Sequence, residues 1–78
     1  MWVRPGDQRI VGECLAAARQ RAGITQRDLA ALLSKPQSFV SAYETGQRRI
    51  DVLEFLAITG ALKTDPLVVF AEIVERRP

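Results

Sequence analysis

An all-α fold, a compact five-helix bundle forming one domain over residues 1–78, is what this chain predicts from three features. Helix start and stop signals recur at short intervals, the apolar residues between them repeat at three- and four-residue spacing, and strand-type alternation never persists. The densest β-branched run, Leu67-Val68-Val69-Phe70, continues into Ala71, Ile73 and Val74 at helical spacing and so reads as helix too.

The first helix is expected from about Gln8 to Ala22, with Ile10, Val11, Cys14, Leu15 and Ala18 on one face, Asp7 as cap and Gly23 as stop. Thr25 as N-cap with Asp28 three residues on resembles a capping box, and Ile24 can pack on Leu29 as a hydrophobic staple, so a second helix should run to Leu33. Ser34-Lys35-Pro36 then forms a short break, because proline disfavours helical geometry in the residue before it yet fits the first turn of a new helix. The third helix is expected over Gln37–Glu44, closed by Gly46. Asp51 and Glu54 repeat the cap, with Ile50 and Phe55 as staple, for a fourth helix reaching about Gly60. Asp65-Pro66 opens the fifth. Its apolar residues Leu67, Val69, Phe70, Ala71, Ile73 and Val74 cover an arc of roughly 200°, about twice what one core contact needs. Half of that arc calls for a second partner, unless a terminal helix wedged between neighbours uses both sides within one chain.

Composition narrows the function classes. Apolar residues make up 47% and charged residues 26%, a balance that supports a packed core. One cysteine and no histidine leave no internal disulfide, no Cys/His zinc site and no ordinary acid–base pivot, and no glycine-rich phosphate loop appears, so neither an enzyme nor a cofactor is expected. Cys14 falls on the apolar face of the first helix and reads as core. The opening Met-Trp-Val-Arg-Pro-Gly-Asp has no signal-peptide pattern and no later run reaches the length of a membrane span, which makes a cytoplasmic location the default expectation. Lys and Arg number 11 against 9 Asp and Glu, a formal charge of +2; such a balance suits a polyanion partner only if the cations are well placed.

Three of the cations bracket one segment. Two short helices joined by a tight break, Thr25 to Glu44, form the unit in which one helix braces the phosphate backbone and the next enters the major groove. Leu29, Ala30, Leu33, Val40 and Tyr43 fall where the two helices must pack, and Ala30 permits a close crossing. Lys35 precedes the second of these helices, and Arg48 and Arg49 follow it. Phe39 either packs on the fourth helix or meets a thymine methyl, and packing is the reading favoured here.

This segment resembles the helix-turn-helix family of the phage repressors and Cro proteins, the Xre type. The likeness rests on Gln26, the pair Leu29-Ala30, Val40-Ser41, Tyr43-Glu44 ahead of Gly46, and Arg48-Arg49-Ile50, and it extends over about Leu15 to Phe70. Ser34 departs from it, standing where many members carry glycine. The resemblance implies a repressor-like bundle and a double-stranded DNA partner. It places Gln37, Ser38 and Ala42 at base edges and Gln26 on a phosphate, while their positions around the reading helix give Lys35, Arg48 and Arg49 to phosphates and the outward face of Ser41 offers another such contact. It also implies a fold-organising ion pair between Arg19 and Glu44. Base chemistry agrees for Gln37, which can pair bidentately with adenine, and for Ser38; Ala42 can only touch a thymine methyl. Arg27 reads equally well as a solvated surface charge or as a further phosphate contact. A homodimer joined through Leu67, Val69, Phe70, Ile73 and Val74, with help from the fourth helix, would read palindromic half-sites. The rival reading is a protein-interaction module, such as an antitoxin that binds a toxin with or without DNA.

Overall fold

Prolines, acidic residues and one threonine mark where the helices begin. In the computed structural model, which describes residues 2–78, α1 spans Pro5–Arg21, α2 Gln26–Leu32, α3 Gln37–Glu44, α4 Val52–Ala61 and α5 Pro66–Arg76. There is no strand among the described residues, and the fold is the all-α bundle that the sequence predicts. No helix among them is long and apolar enough to cross a membrane.

α1 begins earlier than expected. Its N-cap is Arg4, and Asp7, the expected cap, lies inside the first turn with its Oδ2 accepting the Arg4 backbone N–H at 3.1 Å. Proline suits the first helical position because an N–H there would have no intrahelical partner anyway. Pro36 differs in the other direction: it is the N-cap of α3, in extended geometry, rather than part of its first turn.

Four of the five helices end in one way. After α1, α2, α3 and α4 the residue beyond the C-cap takes positive φ, namely Gly23, Ser34, Gly46 and Lys63. The next amide turns back to a carbonyl of the last turn: Ile24 to Arg19 at 3.2 Å, Lys35 to Ala30 at 2.9 Å, Gln47 to Ala42 at 2.9 Å and Thr64 to Thr59 at 3.1 Å. This 6→1 bond, with a 5→2 bond inside it, satisfies carbonyls that a helix end would otherwise leave open. Ser34 and Lys63 adopt the left-handed geometry at φ +54° and +55° without glycine's freedom.

The core is assembled from every helix: Cys14, Leu15 and Ala18 of α1, Leu29 and Ala30 of α2, Val40 and Tyr43 of α3, Ile58 of α4 with Leu62 just beyond it, and Val69 and Ile73 of α5. Two of these correct the expected dimer surface. Val69 is 0% and Ile73 9% exposed, so both belong to the core of the single chain. The wide apolar arc of α5 is thus divided, since Leu67 at 75%, Phe70 at 58% and Val74 at 56% face solvent. α1 and α3 cross closely at Gly12, where a Cβ would collide with the carbonyl oxygens of Tyr43 and Glu44. Only glycine lets the end of α3 lie that near to α1.

Candidate nucleic-acid interface

α3 is held from behind by a half-buried polar cluster centred on the buried Glu44. Arg19 Nε donates to Glu44 Oε2 at 2.8 Å, its Nη2 to Oε1 at 3.2 Å, and its Nη1 to the Ile24 carbonyl at 2.9 Å. The side chains are 12% and 6% exposed, and Gln26 Nε2 adds a bond to Glu44 Oε1 at 2.8 Å. The expected Arg19–Glu44 pair is therefore present as a two-pronged contact, with Gln26 as a third donor to the carboxylate. Bonding to Glu44 raises the Arg19 pKa above its already high ordinary value, against the opposing effect of burial. The pair ties α1 to the last turn of α3.

The cluster continues outward. Gln37 Nε2 donates to Gln26 Oε1 at 3.4 Å, so a chain of contacts runs from Arg19 through Glu44 and Gln26 to the first residue of α3. Gln26, expected on a phosphate, has its carboxamide engaged on both sides within the protein. At the start of α2, Thr25 Oγ1 accepts the Asp28 N–H at 3.1 Å. Only that half of the expected capping box forms at α2.

Around the α3 axis, Val40, Tyr43 and Glu44 are buried, while Gln37 and Ser38 are exposed and Ser41 and Ala42 half-buried. At about 100° per residue the four outward side chains share one edge. Thr45, exposed beyond the helix end, extends that edge, although its hydroxyl is bonded back to the carbonyls of Ser41 at 3.0 Å and Ala42 at 3.2 Å. Its three- and four-residue spacing from Ala42 and Ser41 was the available sequence signal. The Tyr43 hydroxyl is buried without a hydrogen-bond partner among the described residues, and burial raises its pKa.

Phe39 packs, as favoured from sequence. It is half-buried against the core and meets Tyr43 edge-on, with ring centroids 5.6 Å apart at 72°. Two cations flank it, Lys35 Nζ at 5.6 Å and the Arg48 guanidinium carbon at 4.6 Å from the ring centroid. Lys35 and Arg49 are exposed. Arg48 is engaged differently: Nη2 and Nη1 reach the two Glu54 oxygens at 2.9 and 3.2 Å, and Nη1 also donates to the Arg49 carbonyl at 2.8 Å. Arg48 foremost, and then the Asp51 N–H, hold the Glu54 carboxyl below the ordinary carboxylate range.

A polar edge on the second of two helices joined by a tight turn, with cations at both ends, is the arrangement of a major-groove reader. Comparison with known proteins agrees. The helix-turn-helix family model matches residues 15–69. An XRE-family like protein from Pseudomonas syringae pv. tomato str. DC3000 is 40% identical, with a TM-score of 0.79 over 94% of this chain and 89% of that one. The restriction-modification controller protein C.AhdI from Aeromonas hydrophila is 31% identical, with a TM-score of 0.76 over 83% of this chain and 98% of that one. The clp gene regulator ClgR from C. glutamicum, 21% identical with a TM-score of 0.86 over 92% and 94% of the two chains, shares the fold. No curated protein sequence matches the chain. This chain belongs to the Xre-type helix-turn-helix family of DNA-binding transcription regulators.

Proposed function

We propose that the chain is a sequence-specific transcription regulator that reads duplex DNA as a homodimer, each copy laying the outward edge of α3 in the major groove. The observation that carries the base-reading part is the contact of Gln37 with Gln26. One N–H of the Gln37 carboxamide is engaged there, and its other N–H and its oxygen remain for a base. That donor–acceptor pair matches N7 and the N6 amino group of adenine. Ser38 offers a hydroxyl to several bases, and Ala42 a methyl to thymine. Lys35, Ser41 and Arg49 grip phosphates around the edge, and the start of α2 at Gln26 presents backbone amides to a strand.

The homodimer reading rests on apolar surface. Leu67, Phe70 and Val74 of α5 are exposed, as are Val52, Leu53 and Leu56 of α4. Val52 and Phe70 line one groove together with Val11 and Phe55, so the two helices contribute to a continuous apolar face. Two copies joined there would present two α3 helices to half-sites about one helical turn apart, and control would follow from occlusion or recruitment of polymerase at the bound promoter.

Selection of bound duplexes from a random pool tests this directly. The wild type should return a repeated motif of two half-sites, and Gln37→Ala should lose preference at one base pair per half-site at a cost of about 1–3 kcal/mol. An unchanged profile for the variant would reduce Gln37 to surface solvation.

A further inference from the structure

Arg48 looks from its position like a phosphate ligand, yet its contacts lie within the protein. Its guanidinium carbon lies over the Phe39 ring of α3, 4.6 Å from the ring centroid. Its two terminal nitrogens form a fork with the Glu54 carboxylate of α4 at 2.9 and 3.2 Å. One of them also donates to the carbonyl of Arg49 at 2.8 Å, the peptide that carries the exposed neighbouring cation. Glu54 is itself anchored, because Oε1 accepts the Asp51 N–H at 3.0 Å while Asp51 Oδ1 accepts the Glu54 N–H at 2.7 Å. One side chain therefore joins the reading helix, the loop after it and the start of α4.

We infer that Arg48 is a positioning residue, which clamps the α3–α4 loop between Phe39 and Glu54 so that Arg49 is presented to a phosphate. The inference rests on the DNA-binding reading above and assigns different work to two adjacent arginines. A flat, delocalised, five-donor guanidinium can stack on a ring and fork a carboxylate at once; an ammonium cannot. A phosphate contact made as a point charge would accept either cation. Both arginines are exposed, but the charge of Arg48 is balanced by Glu54, whereas Arg49 enters no ion pair among the described residues.

The two roles predict opposite signs for one substitution. Glu54→Gln keeps a carbonyl to accept the Asp51 N–H but removes the charge opposite Arg48. If Arg48 served phosphate directly, freeing it would tighten duplex binding; if it clamps the loop, the same change weakens binding. Wild type, Arg48→Lys, Arg49→Ala, Glu54→Gln and the Arg48→Lys/Glu54→Gln double variant are compared for duplex affinity across a salt series. Amide hydrogen exchange of residues 46–51 is followed in parallel without DNA. Arg49→Ala should lower the salt slope by about one unit. Arg48→Lys and Glu54→Gln should each weaken binding about fivefold at nearly unchanged slope, with the double variant no worse than either alone. Both should speed exchange in the loop while the other helices stay protected. Tighter binding by Glu54→Gln, full rescue by Arg48→Lys, or loop exchange equal to wild type would each overturn the inference. Absence of wild-type duplex binding would instead sink the DNA-binding reading, and the exchange result would still decide whether the clamp exists.

Discussion

Glu44 accepts from Arg19 twice and from Gln26 once, and no single contact explains its cost of burial. A nearly buried carboxylate is tolerated because each of its neighbours is a donor; removing either member of the ion pair strands the other. Glu44→Ala is therefore expected to cost about 3–5 kcal/mol, whereas replacing Arg19 and Glu44 together by apolar residues of similar volume should cost far less. Urea titrations of the single and double variants measure both, and a loss below 1 kcal/mol for Glu44→Ala would show that the pair is effectively solvated. The Arg19–Glu44 partnership was legible only through family resemblance, since 25 residues separate the partners and no periodicity links them. Two residue roles were not legible at all. Gly12 stands in the middle of a helix like any weak helix former, and its necessity comes from the carbonyls of another helix. Arg48 stood in a basic pair with Arg49, and the aromatic face and carboxylate that distinguish it are brought together only by the fold.

Helix ends were the most readable elements, because capping is local chemistry. The bounds of α3 match expectation, as does the Asp51–Glu54 box, which closes in both directions. α1 was misjudged because Asp7 is competent both as a cap and as the acid of a first turn, and Pro5 favours the second arrangement. Ser34 forms the same C-terminal turn as Gly23 and Gly46, at the expense of left-handed backbone in a residue with a Cβ. Ser34→Gly should consequently raise stability by about 1 kcal/mol, as the steric cost removed exceeds the added entropy of the unfolded chain. Thermal melts give the comparison; a lower melting temperature for Ser34→Gly would mean that the serine contributes more to the turn than its geometry costs.

At the scale of the whole molecule, the sequence pattern marked α5 as having more apolar surface than one core can cover. It could not say which residues lie on which side: Val69 and Ile73 point inward, and Leu67, Phe70 and Val74 remain outside. The phase of the helix about its axis is set by its packing on α1 and α4. Sedimentation at micromolar concentration should find wild type as a dimer and Phe70→Asp as a monomer of unchanged helix content, and a monomeric wild type with or without DNA would remove the two-fold model. Base reading itself takes place in the major groove. Replacing each adenine of the selected site in turn by 7-deazaadenine leaves base pairing intact and deletes only the N7 acceptor. One position per half-site should lose about 1–3 kcal/mol of wild-type binding, and Gln37→Ala should be indifferent to the same replacement. Wild-type affinity insensitive to every replacement would contradict the account.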